Sequence, residues 1–226
     1  MAELRLPYAD RAAAGRSLAR WLAGRRWRNP LVLALPRGGV PVGVEVGRGL
    51  GAPVDVFMIR KLGHPHQPEL GLGAIAEGAE PMYDARLLDA VGVDRAELAA
   101  VEERERAELD RRVLAYRRGR PAPEVADRDV LVVDDGLATG STARAALRAL
   151  SARGPAGLVL TTPVGAADTV ADLRADGYDV VVPATPPDFR AVGQWYRSFD
   201  QLTDDDVVRV LRHAGAGTPG RTEEAR

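Results

Sequence analysis

Apolar positions along this chain follow two rhythms. Short, largely unbroken apolar runs rich in β-branched residues occupy 31–35, 53–59, 130–133, 158–162 and 178–182. Each is bounded by Gly, Pro or charge and reads as a buried strand. Apolar residues three and four apart predict helices over 10–26, 40–50, 94–116, 143–151, 166–176 and 203–212. In the first of these the spaced positions are Ala14, Leu18, Trp21 and Leu22, with Gly24 as the stop. Strands alternating with helices predict an α/β fold with a doubly wound, mostly parallel sheet and right-handed crossovers. The stretch 31–50 echoes 130–150 as strand, glycine loop and helix.

The pattern breaks in three places. Residues 60–78 are rich in Gly, Pro and His and read mostly as loop, with a short apolar piece at 74–76. Residues 183–200 are irregular. From 214 onward Gly, Thr, Pro and charge predict a disordered tail over 214–226, leaving one domain over 1–213. The helix at 94–116 is densely charged. Leu98, Val101, Leu109, Val113 and Tyr116 keep its apolar rhythm, which fails at Glu105. Glu102 with Arg106, and Glu108 with Arg112, stand four apart and can pair across one helical turn. A solvated face is the expected role for this charge.

Composition narrows the function. The chain has 226 residues, 31 Lys and Arg against 32 Asp and Glu, and no cysteine. Charge near balance, with basic and acidic residues interleaved, argues against a nucleic-acid partner. Without cysteine there are no disulfides, no thiolate nucleophile and no cysteine metal site. No apolar run reaches the roughly 20 residues that cross a bilayer, and the first residues lack a signal-peptide core. A cytoplasmic enzyme with no membrane partner is the expectation.

The densest chemistry lies at 130–142, which reads Val130-Leu131-Val132-Val133-Asp134-Asp135-Gly136-Leu137-Ala138-Thr139-Gly140-Ser141-Thr142. Two carboxylates stand where the strand ends, followed by a small-residue loop and a helix start. In open α/β sheets ligands bind beyond the carboxyl ends of the strands. Amides at a helix start attract anions. Carboxylates suit sugar hydroxyls or a hydrated Mg²⁺. The segment therefore fits a phosphorylated ribose.

This segment resembles the phosphoribosyl pyrophosphate (PRPP) motif of the type I phosphoribosyltransferases. Two positions depart from it. Gly136 replaces a usual apolar residue and should loosen the loop; Ala138 replaces a common hydroxyl. The resemblance implies that Ala138, Thr139, Gly140, Ser141 and Thr142 bind the 5-phosphate, and that Asp134 and Asp135 bind the ribose. It implies that Arg37, Gly38 and Gly39 of Pro36-Arg37-Gly38-Gly39, with Arg60 and Lys61, bind pyrophosphate. In the family the first of these loops often carries a non-proline cis peptide. For that loop the plainer alternative is a tight turn with a solvated arginine. Asp134, Asp135 and Lys61 are the expected catalytic residues. Mg²⁺ is the implied cofactor, held mainly through PRPP and with Asp134 and Asp135 as the protein groups in reach.

The resemblance also places a mobile loop at about 61–73 and a hood at about 183–202. Phe189, Trp195 and Tyr196 are hood candidates for stacking on an acceptor, or equally for a small satellite core. His64, His66 and Glu69 lie in the loop without a defined role, and Glu69 and Glu77 are expected to be solvated. Segments 34–43, 60–63 and 192–196 look like a bacterial subgroup whose acceptor is unassigned. The implied activity is transfer of phosphoribose from PRPP to a nitrogen of a nucleobase or base-like molecule, with a homodimer as the family tendency. A non-base acceptor of secondary metabolism and a PRPP-sensing regulator remain open beside it.

Overall fold

The computed structural model describes residues 5–215, and the tail expected at 214–226 lies outside them except for its first two residues. In chain order the elements are α1 (Arg11–Leu22), β1 (Leu31–Ala34), α2 (Gly39–Leu50), β2 (Val54–Val56), β3 (Ile59–His64), β4 (Gln67–Ala76) and β5 (Met82–Tyr83). Then come α3 (Ala85–Val91), α4 (Arg95–Arg117), β6 (Asp129–Val133), α5 (Ser141–Ser151), β7 (Gly157–Thr161), α6 (Ala167–Ala175) and β8 (Asp179–Val181). A 3₁₀ turn at Val192–Trp195 precedes α7 (Asp204–Gly215), whose last two residues are Ala214 and Gly215.

Five parallel strands form the central sheet in the order β2-β1-β6-β7-β8. Alternation along each strand sends neighbours to opposite faces. Leu31, Leu33, Val130, Val132, Leu160 and Val180 pack against α5 and α6. Val32, Leu131 and Val133 pack against α1 and α2 on the other face. The doubly wound sheet is thus as expected. The crossover after β1 runs to one edge and the one after β6 to the other, so the strand order reverses between these two neighbours. That is the switch point where a crevice opens beyond the strand ends.

The region 60–78 departs from its expected form. It is not mostly loop but an antiparallel sheet of order β3-β4-β5, and the strand foreseen over 53–59 splits into β2 and the start of β3. Small residues disguise the alternation. Leu62, Leu72 and Ile75 are buried, but Gly, Pro, His and polar residues fill most of the positions between them. A register shift on either side of Gly63 lets the hairpin bend. The segment expected as a mobile loop therefore carries the hairpin turn and most of its strands. Helix α3 was also unforeseen; it is short, capped by Asp84, and buries no residue.

Helix α4 forms as foreseen, and its Glu102–Arg106 and Glu108–Arg112 pairs are made, at 3.0 and 2.6 Å. Glu105, where the apolar rhythm fails, faces the hairpin and accepts Arg60 Nε at 2.9 Å. Arg117, at the end of α4, is buried with Asp55, Glu77 and the Val56 carbonyl. Glu77 is therefore an interior ion-pair partner rather than a solvated carboxylate. Among the described residues no helix is long and apolar enough to cross a membrane.

Candidate active site

The loops leaving β1 and β6 emerge side by side, because Ala34 is paired with Val133 in register. They touch directly. A Cβ on Gly38 would stand 2.0 Å from Asp135 Oδ2, and one on Gly39 would stand 2.5 Å from the Val133 carbonyl oxygen and 2.9 Å from Asp134 Cα. Glycine at these positions is required by the packing of one loop on the other. The Pro36–Arg37 peptide between β1 and this contact is cis.

Beyond the twin aspartates the chain runs through a small-residue loop into α5. Gly140 takes φ 74°, a left-handed conformation open to glycine, and serves as N-cap of α5. Thr169 Oγ1 donates to the Ala138 carbonyl at 2.6 Å and steadies the loop. Among the described residues, the amides of Ala138, Thr139, Gly140, Ser141 and Thr142 donate to no protein acceptor. Ala138, Thr139, Ser141 and Thr142 are also exposed. Unsatisfied amides converging at a helix start form a concavity suited to phosphate oxygens. Gly136 does not use the freedom of glycine. A Cβ there would stand 2.4 Å from Val192 Cγ1, so the missing side chain is replaced by a valine arriving from the hood.

Each twin aspartate spends one oxygen on the protein. Asp134 Oδ1 accepts the Asp135 amide at 2.8 Å, and Asp135 Oδ2 accepts Arg11 Nε at 2.8 Å. Asp134 Oδ2 and Asp135 Oδ1 accept no hydrogen bond among the described residues. Burial pushes the Asp134 carboxyl well above its usual range, and the Asp135 charge adds to the push. Burial also raises Asp135, against the pull of Arg11. Tyr196 Oη donates to the Asp135 carbonyl at 2.5 Å, and burial moves its phenol upward.

The hood joins the N-terminal strip around Tyr8 to the segment after β8. Tyr8 bridges to Tyr196, and their rings lie 5.7 Å apart. Tyr8, Ala14, Val164, Ala184 and Tyr196 form a buried cluster, with Phe189, Val192, Trp195 and Phe199 packed around it. Tyr196 therefore belongs to a satellite core. Phe189 and Trp195 are only partly buried.

The basic candidates fall in different places. Arg37 stands 3.8 Å from Asp204 at the start of α7, and Asp204 is also held by Tyr116 and Arg111. Arg60 is engaged by Glu105. Lys61 donates to the Glu69 carbonyl, and lines a cavity of about 770 Å³ with Thr139, Ser141 and Thr142. The hairpin tip carries His64 and His66; His64 Nδ1 accepts the His66 amide, and His66 Nε2 lies 3.0 Å from Glu97. Among the described residues, no group of three or more His, Cys, Asp or Glu is placed to hold a metal ion. Arg11 was not foreseen. It sits directly after the helix-capping Asp10, and no spacing rule relates it to a carboxylate 124 residues away.

Residues 8–192 match the family model for the phosphoribosyl transferase domain. The chain belongs to this family. The resemblance read from 130–142 is thereby confirmed. A Mycobacterium tuberculosis relative named for phosphoribosyl transfer is 45% identical over 207 residues, covering 92% of this chain and 47% of its own length. The chain thus spans about half the length of that phosphoribosyltransferase relative. The crystal structure of TT1426 from Thermus thermophilus is similar with a TM-score of 0.79 at 41% identity, covering 91% of this chain and 98% of that one.

Proposed function

We propose that this phosphoribosyltransferase moves the 5-phosphoribosyl group of PRPP to a nitrogen of a nucleobase or base-like acceptor, releasing pyrophosphate. The observation that carries this reading is the run of five uncommitted amides, 138–142, beside two carboxylates that each keep a free oxygen. Phosphate at the amides puts the ribose over Asp134 and Asp135, with C1 toward Arg37, Gly38 and Gly39. The C1–O bond breaks and its electron pair leaves with pyrophosphate. The acceptor nitrogen supplies the new bond to C1 and then sheds its proton.

Such a reaction gains most from positioning, a clamped leaving group and exclusion of water. The glycosyl cation character at C1 is met by the adjacent carboxylates. Arg37 swings from Asp204 to the pyrophosphate, and Lys61 enters from the hairpin. The free oxygens Asp134 Oδ2 and Asp135 Oδ1 fit Mg²⁺, which is commonly held by one or two carboxylates plus substrate oxygens. When bound, Mg²⁺ would neutralise charge on the pyrophosphate. Phe189 and Trp195 are the acceptor-facing candidates, and Tyr196 steadies the Asp135 backbone. The homodimer and a cytoplasmic setting belong to the same proposal.

An acceptor screen with PRPP and Mg²⁺, following pyrophosphate release, tests the reading. Asp135→Asn is expected to abolish turnover and leave the thermal melt intact. Near-native PRPP consumption by that variant would overturn the assigned role.

A further inference from the structure

Arg11 is an unusual residue for its position. It opens α1, where the helix dipole disfavours a cation, and the carboxylate of the N-cap Asp10 before it accepts the Ala13 amide. It is nevertheless drawn inward: the Arg11 and Asp135 side chains are 12% and 14% exposed. A pair so shielded gives back much of its attraction in lost hydration, so net stability is a poor reason for it. Its contacts say more. Nε donates to Asp135 Oδ2 at 2.8 Å, Nη1 donates to the Asp200 carbonyl at 2.9 Å, and the guanidinium carbon lies 3.9 Å from the centre of the Phe199 ring. The Phe199 ring in turn lies tilted against Tyr196 with centres 5.0 Å apart, and Tyr196 holds the Asp135 backbone.

One planar fork thus fixes the Asp135 carboxylate to the hood. Occupying Oδ2 leaves Oδ1 as the oxygen free to accept a hydroxyl. We infer that Arg11 is a positioning residue for the ribose diol, aiming Asp135 Oδ1 and tying that aim to the hood. The inference rests on the reading of Asp135 as the ribose carboxylate. A lysine keeps the charge but not the rigid planar fork that spans the carboxylate and the Asp200 carbonyl.

Calorimetry on the full chain tests it with three probes: inorganic phosphate, ribose 5-phosphate, and PRPP with Mg²⁺. Arg11→Met should weaken ribose 5-phosphate and PRPP by about tenfold or more, the scale of one charged hydrogen bond. Inorganic phosphate, which needs only the 138–142 amides, should bind as in the native protein. Arg11→Lys should recover part of the loss. Arg11→Gln carries the same comparison should Arg11→Met fail to fold, and should show the same loss. Native-like ribose 5-phosphate binding by either of these two variants would overturn the inference, as would a parallel loss of inorganic phosphate, which marks general collapse. Native protein that binds phosphate but neither sugar phosphate would instead overturn the phosphoribosyl reading itself, and this inference with it.

Discussion

Replacing Gly38 or Gly39 by alanine separates the function of the loop contact from its contribution to stability. Gly38 has φ −62° and ψ −35°, which alanine adopts freely, so only space is at issue. Its Cβ would fall 2.0 Å from Asp135 Oδ2 and 2.5 Å from Cγ, where ordinary contact begins at 3.4 Å. The carboxylate must retreat by roughly 1.4 Å, more than the 2.8 Å bond to Arg11 can absorb. A side chain can swing aside, so the fold should survive while PRPP affinity drops by about tenfold or more. Gly39 meets backbone instead, the Val133 oxygen at 2.5 Å and Asp134 Cα at 2.9 Å, and no rotamer relieves that overlap. Overpacking of this kind costs about 1–3 kcal/mol, which for a chain of this length lowers the melting temperature by roughly 2–12 °C. Thermal melts and PRPP calorimetry on both variants provide the test. Gly38→Ala binding PRPP with native affinity, or Gly39→Ala melting like the native protein, would refute the reasoning.

Other perturbations reach different parts of the structure. Arg37→Ala should weaken pyrophosphate binding more than ribose 5-phosphate binding; equal losses in calorimetry would remove Arg37 from the leaving-group side. Arg117→Met strands the buried carboxylates of Asp55 and Glu77 and should cost about 3–5 kcal/mol, read as a large fall in melting temperature; a native-like melt would show that the cluster relaxes without it. Hydrogen bonds from Arg111, then Arg112, push Glu108 down to about 2. A depressed carboxylate stabilises the fold above its unfolded value of about 4.3 and loses that contribution as pH falls through its folded value. The native melting temperature should therefore fall more steeply than that of Glu108→Gln between about pH 4.3 and pH 2; parallel curves would contradict the assignment.

What could be read from the chain alone follows from how local each signal is. The strand, twin acids and loop at 130–142 carry their meaning within thirteen residues, and the match at 31–50 makes the adjacency of β1 and β6 an intelligible outcome. The hairpin was hidden because glycine, proline and lysine occupy the strand positions that usually announce themselves with large side chains. The pairing of Arg60 with Glu105 had no local signal, because Glu105 stands 45 residues away on a helix whose charge looked solvated. Tyr196 could stack or be buried on composition alone; its hydrogen bond to the Asp135 carbonyl decides for burial. Arg11 had no local signal, since its meaning depends wholly on where Asp135, Phe199 and Asp200 arrive.

The roof over the crevice is a two-piece construction, with Tyr8 and Ala9 hydrogen-bonded along Trp195, Arg197 and Ser198. Grafting a new acceptor preference onto this scaffold therefore cannot be done by exchanging one contiguous cassette. A transplanted late segment would arrive without its seam, and a donor that brings both strips together is the unit evolution or an engineer has to move.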